Sequence, residues 1–266
     1  MLLKIRASML PSANDCMKRA IGQQYRSELK NMGYILKEKN HNIGGIIGTS
    51  LHVGSQHTII EYLKHGNYAK TSDCIEVGIN KLKSESQKGI QWDNTTYNLN
   101  EAEKQLSLMV NSYCLQIAPK IKPSVIPENS LKAIISGEVE FTGTTDIETV
   151  ENDIRDIKGG IIKKPFQAQQ GGYSILKRMA KKENIRKLII DYIPRVSLRK
   201  NYPGATSIEY NVDTCEAIAM STIFMINKIM RKFMECQNPF IIPCNPMSML
   251  CSDKYCPCLG TDFCKL

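Results

Sequence analysis

The spacing of apolar positions changes character near the middle of the chain. Residues 13–31 carry helical spacing, with Asn14 or Asp15 available as a cap. Gly44, Gly45 and Gly48 punctuate the chain before LHVGSQHTIIEYLKHG, which predicts a helix from about 49 to 64, and a shorter helix is predicted over 70–83. GIQWDNTTYNLN reads as a loop. In EAEKQLSLMVNSYCLQI the residues Ala102, Leu106, Met109 and Val110 line one helical stripe.

Between Pro119 and Pro127 the helical period breaks, and alternation takes over. GEVEFTGTTDI alternates as a strand should, and IRDIK predicts a second strand after a turn near Glu151 and Asn152. The two together, 138–147 and 154–158, read as a hairpin. PFQAQQGGYSILKRMAKKEN predicts a helix despite its two glycines. RKLIIDYIPR predicts a third strand and SIEYNV a fourth. CEAIAMSTIFMINKIMRKFMEC is a long amphipathic helix, and a polar, cysteine-rich tail follows. Strands in the middle with helices on either side argue for a mixed α/β fold.

Composition narrows the class. No run approaches the roughly 18–20 apolar residues of a membrane span. The opening MLLKIRASMLPS has neither a long apolar core nor a clear cleavage site, so no signal peptide is expected and the protein is expected inside the cell, in the cytoplasm. The formal net charge of +9 suits a polyanionic partner, of which nucleic acid is the usual one. Aromatics are only 7% of the chain, so base stacking is not advertised.

The candidate chemistry lies in FTGTTDIETVENDIRDIKGG. Alternate residues on a strand share a face, so Asp156 and Lys158 point the same way. Pairing of the predicted hairpin brings Asp146 towards them. Two carboxylates held together are costly unless a cation lies between them, and oxygen donors suit a hard ion such as magnesium or manganese. Such an ion polarises a phosphodiester and activates a bound water, and a neighbouring lysine orients that water or stabilises charge on the phosphate. A D-x-K triplet alone is commonplace on solvated hairpins. What changes the reading is the order of the other pieces: His52 upstream in IIGTSLH, Gly143 three residues before Asp146, and Gln169 and Tyr173 four apart on one helical face after Lys158.

GTSLH, GTTD, DIK and QQGGY, in that order, resemble the G-T-x-x-H, G-x-x-D, D-x-K and Q-x-x-x-Y pattern of the PD-(D/E)XK nucleases. The similarity is to their RecB-like branch, which includes CRISPR-associated exonucleases and many phage enzymes. RASMLPSANDCMKR also looks like the opening of phage members. The resemblance implies that His52, Asp146 and Asp156 bind the metal, that Lys158 is the catalytic lysine, and that Gln169 and Tyr173 position DNA or support the site. It implies a restriction-endonuclease-like α/β fold: a mixed central sheet flanked by helices, with a helical insertion and a C-terminal iron–sulfur segment. The whole chain, 1–266, is expected to be one nuclease domain. Its helical part covers about 13–118, its catalytic core about 130–235 and its cysteine-rich segment 244–266.

The tail, CNPMSMLCSDKYCPCLGTDFC, holds five of the ten cysteines. A sulfur-rich donor set favours zinc or an iron–sulfur cluster, and the C-x-x-C pairs typical of zinc are absent. In the resembling nucleases one N-terminal and three C-terminal cysteines hold a [4Fe–4S] cluster. Carried onto this chain, the resemblance implies Cys16, Cys251, Cys256 and Cys264, a spacing that departs from the family's commoner one, with Cys258 a competitor because its gap to Cys264 has the five residues that spacing shows. The expected partner is DNA, single-stranded or with free ends, together with a recombination or helicase protein and no membrane. A phage-encoded enzyme would work in the host cytoplasm. Two rivals stay open at this point: a non-catalytic nucleic-acid-binding protein with a structural metal, and a decayed prophage remnant.

Overall fold

The computed structural model describes residues 2–87, 89–160 and 165–265. The chain opens with a strand that the apolar spacing did not reveal, β1 (Leu3–Arg6), in which Leu3 and Ile5 are buried and alternate with exposed residues. The helix expected over 13–31 is three short ones: α1 (Leu10–Asp15), α2 (Met17–Gln24) and α3 (Arg26–Asn31). The breaks fall at Cys16, whose backbone is extended (φ −152°, ψ 105°), and at Tyr25. After β2 (His41–Asn42) comes α4 (Ile43–His65), longer at its N-terminal end than expected. Asn42 caps it by accepting from the Gly44 N–H, and Gly66 ends it at φ +72°, a conformation glycine takes without strain. The helices α5 (Thr71–Ser86) and α6 (Leu99–Gln116) follow, separated by the loop around β3 (Ile90–Gln91).

A second unexpected strand, β4 (Asn129–Ile135), precedes β5 (Val139–Thr145), and β6 (Ile147–Glu148) follows after a single residue. Next come β7 (Asp153–Gly160), α7 (Gln167–Lys181), β8 (Lys187–Pro194), β9 (Thr206–Tyr210) and α8 (Val212–Cys236).

The expected hairpin of 138–147 with 154–158 is mostly replaced by other pairings. β5 is antiparallel to β4 and parallel to β1, in the order β1–β5–β4. Only Ile147 and Glu148 of β6 pair with Arg155 and Ile154 of β7. β7 then runs parallel to β8, and β8 antiparallel to β9, giving the order β6–β7–β8–β9. The polypeptide therefore passes from one sheet to the other between Thr145 and Ile147, with Asp146 at the seam.

The larger sheet separates two apolar clusters. Ile154 and Leu188 face one, built from β1, β5, α1, α2, α7, α8 and the C-terminal tail. Ile157 and Ile193, of opposite parity on the same strands, face the other, built from α4, α5 and α6. This explains why β7 is buried through most of its length instead of alternating with solvent. Among the described residues no helix is long and apolar enough to cross a membrane.

Candidate active site

The site forms where β7 passes the seam. Asp156 and Lys158 share a face of β7, and the Lys158 Nζ lies 2.7 Å from Asp156 Oδ2. Asp146 reaches the same place from the adjoining sheet. Its Oδ2 accepts from the Ile157 backbone N–H at 2.8 Å, so the strand itself fixes the carboxylate. His52, on α4, approaches from the other apolar cluster, its Nδ1 3.3 Å from the same oxygen. Four side chains from three elements thus meet, and the period of two along β7 brings only the DIK pair together.

Gly143 has a packing reason. A Cβ there would lie 2.8 Å from Leu176 Cδ1 and 3.1 Å from both the Ala7 Cβ and Tyr173 Cε1. Its absence lets α7 lie close on β5. On that helix Gln169 and Tyr173 are both buried, and the Gln169 amide donates to the Tyr173 hydroxyl at 2.6 Å. Burial, and then the charges of Asp156 and Asp146, raise the Tyr173 pKa well above the usual phenol value. Tyr173 is therefore within electrostatic reach of both acids. One contributor escaped the sequence reading: the Lys158 ammonium stands 5.0 Å from the centre of the Phe166 ring, just before α7. An aromatic eight residues after a lysine carries no signal until a helix start is known to fold back over the strand.

The environment drives the two carboxyls apart. Burial alone would raise Asp146, but His52, Lys158 and the Ile157 N–H outweigh it and hold this carboxyl low. Asp156 is raised by burial and by the charge of Asp146, against the partial relief of Lys158 and His52. Burial tends to lower His52 and Lys158, and the adjacent carboxylates reverse that in both.

The donor set fits a hard cation in part. Both oxygens of Asp156 are buried, and neither accepts a hydrogen bond among the described residues. The Lys158 ammonium, 2.7 Å from Oδ2, is their close counter-charge, which leaves the lone pairs of Oδ1 for a cation. Among the described residues no three His, Cys, Asp or Glu side chains close on one point. Two carboxylates with the rest of the shell from water and phosphate oxygens is nonetheless an ordinary arrangement for magnesium.

At the other end of the molecule the tail is strapped onto α1 and α2. The Lys18 N–H donates to the Pro243 carbonyl, Asn245 to the Asp15 carbonyl, and Arg19 to Ser248 Oγ at 3.0 Å. Cys16, buried at the break between the two helices, lies within electrostatic reach of Cys251, Cys258 and Cys264. Cys256 and Cys244 belong to the same group. Cys258 is the most deeply set: its thiol donates to the Lys18 carbonyl, and a Cβ on Gly22 would come within 2.2 Å of its sulfur. None of the ten cysteines forms a disulfide. Six thiols in one corner are a soft donor set. A cube of iron and sulfide is larger than one ion, so its thiolates need not meet at a point.

No protein-family model matches the chain, and no curated protein matches it by sequence. Among solved structures, a candidate exonuclease from Eubacterium rectale aligns over 86% of this chain and 91% of its own, with 12% identity and a TM-score of 0.45. The protein SSO0001 aligns over 86% of this chain and 94% of its own, with 14% identity and a TM-score of 0.28. Likenesses this distant do not bear on activity.

Proposed function

We propose that this chain is a metal-dependent nuclease of the PD-(D/E)XK type, an exonuclease that hydrolyses phosphodiester bonds in DNA. The observation that carries the reading is the meeting of Asp146, Asp156 and Lys158 at the seam, with the Asp156 carboxylate buried, its Oδ2 2.7 Å from the Lys158 ammonium and its Oδ1 without a hydrogen-bond partner among the described residues. Asp146 and Asp156 would hold magnesium or manganese, and His52, now 3.3 Å from Asp146 Oδ2, would have to turn towards the ion to serve as a further ligand. A bound ion of this kind supplies Lewis acidity at the phosphate and a more acidic water. Lys158, steadied by Asp156 and Phe166, orients the attacking water or stabilises charge on the phosphate. Gln169 and Tyr173 act as one hydrogen-bonded unit behind the acids, supporting the site or the DNA. Cys16, Cys251, Cys256 and Cys264 would hold a [4Fe–4S] cluster in a structural role, with Cys258 as the competing ligand. The working context is DNA end processing, recombination or repair, beside a helicase or recombination protein, in the cytoplasm of a phage host.

The test is cleavage of end-labelled DNA by anaerobically purified protein, with and without manganese. Metal-dependent release of nucleotides is expected, and Lys158→Ala should lower the rate by about 100-fold or more while DNA binding persists. Full metal-dependent cleavage by that variant would remove Lys158 from the mechanism. Binding without cleavage by the wild type would leave a nucleic-acid-binding protein in place of an enzyme.

A further inference from the structure

A second polar concavity lies on the edge of the molecule formed by β1 and the turn after it. It has a volume of about 170 Å³ and is lined by Arg6, Ser8, Ser12, Gln23 and Gln24 over Met9. The lining contains a guanidinium, two hydroxyls and two primary amides, and no carboxylate. Among the described residues none of these five side chains makes a hydrogen bond or ion pair with the protein. That distinguishes Arg6 from Arg19, Arg155, Arg178, Arg186 and Arg195, each of which is paired with an acid. The carbonyls at the end of α2 would disfavour an anion, but that of Ile21 is already taken by the Tyr25 N–H.

The position ties this concavity to the site. β1 is parallel to β5, with Arg6 beside Thr142, so both strands run towards the Asp146 end. Ala7, the first residue of a short 3-10 turn after β1, is buried and meets the ground around Gly143 and Gly172, while Arg6 and Ser8 on either side of it are exposed. The Ala7 Cβ and the Tyr173 ring approach the same point above Gly143. The concavity therefore sits on the outer side of a single turn whose inner side packs against Tyr173, the partner of Gln169.

We infer that this pocket binds a phosphate of the DNA strand, away from the bond being cut, and so sets the register of the strand over the site. A guanidinium among hydroxyl and amide donors, with no acid in the lining, is the chemistry that takes phosphate oxygens. The inference rests on the nuclease reading for the identity of the strand, but its test does not depend on cleavage.

The experiment measures binding of a short single-stranded oligonucleotide in EDTA, across a salt series, by fluorescence anisotropy. The oligonucleotide carries a phosphate at one terminus, at the other, or at neither. Arg6→Ala should bind about tenfold more weakly at low salt, with a salt slope shallower by about 0.7, the share of one phosphate contact on a single strand. Arg6→Lys should recover part of that loss. Gln23→Glu, which adds a carboxylate to the pocket without touching Arg6, should weaken binding as well. Equal losses on all three oligonucleotides identify an internal phosphodiester, and a loss confined to one phosphorylated end identifies a terminal phosphate; either supports the pocket. Wild-type affinity and slope in both Arg6→Ala and Gln23→Glu overturn it, whatever the cleavage assay gives. A wild type that binds through Arg6 but never cleaves overturns the hydrolytic reading and leaves this one standing.

Discussion

Arg195, just beyond the end of β8, is a buried cation held by a segment that reads as plain loop. Its guanidinium reaches Asp93 Oδ2 at 2.7 Å and Thr96 Oγ1, both in GIQWDNTTYNLN. Burial would raise Asp93, but Arg195 and the Thr95 and Thr96 N–H groups outweigh it and keep the carboxyl below its usual 3.8. A depressed carboxyl contributes stability that is full above its unfolded value and lost as pH falls through its folded one. Asp93→Asn, which leaves Arg195 buried without its counter-charge, should destabilise the fold by about 3 kcal/mol at neutral pH. In urea unfolding the gap from wild type should hold down to about pH 4 and narrow only below it. The same scale shows what could be read from residue order. Asp156 and Lys158 on one face follow from the period of a strand. The seat of Asp146 does not, because it depends on a change of sheet at one residue and on a backbone N–H that no side-chain pattern encodes.

Elements were legible where their own period dominates and not where a distant partner defines them. The long helices α4, α6 and α8 carry caps and stripes that can be read locally. β1 has four residues and becomes a strand only because Val139–Thr142 lie beside it. β4 was hidden because the expected partner of β5 was β7. The crossing of α7 with α8 makes a sharp test of element packing. A Cβ on Gly171 would fall 1.9 Å from the Cys215 carbonyl oxygen, which is backbone and cannot turn aside. Gly48, within α4, has nothing within 4 Å of where its Cβ would be. Gly171→Ala should therefore destabilise by about 3 kcal/mol or more, and Gly48→Ala should stabilise by about 0.4–1 kcal/mol. Thermal unfolding of the two variants distinguishes them, and equal effects would mean that the helices do not cross this closely.

Across the whole molecule, the cysteine corner joins residues more than 200 positions apart, since Cys16 meets a tail that begins at Cys244. The gathering was legible in outline, from one early cysteine and a crowded late segment. Which thiols face one another was not, because Cys258 turns towards α2 for reasons of packing. Protein purified without oxygen should be brown, with broad absorbance near about 400 nm. Cys16→Ala should bleach it and lower stability; treated as a crosslink, closing so long a loop is worth roughly 5 kcal/mol. A colourless wild type carrying one tightly bound zinc would overturn the cluster.

The parallel pairing of β1 with β5 also has a consequence for synthesis. Leu3 and Ile5 leave the ribosome early, but the strand that covers them, starting at Val139, is made 136 residues later. At translation rates of about 5–20 residues per second, these apolar side chains wait roughly 7–27 seconds without the strand that pairs with them. The ground where Ala7 meets Gly143 beneath Tyr173 cannot form in that interval. A nascent chain arrested before β5 would hold its first strand open to chaperones, and the acids at the seam would be assembled only after both ends of this long loop had met.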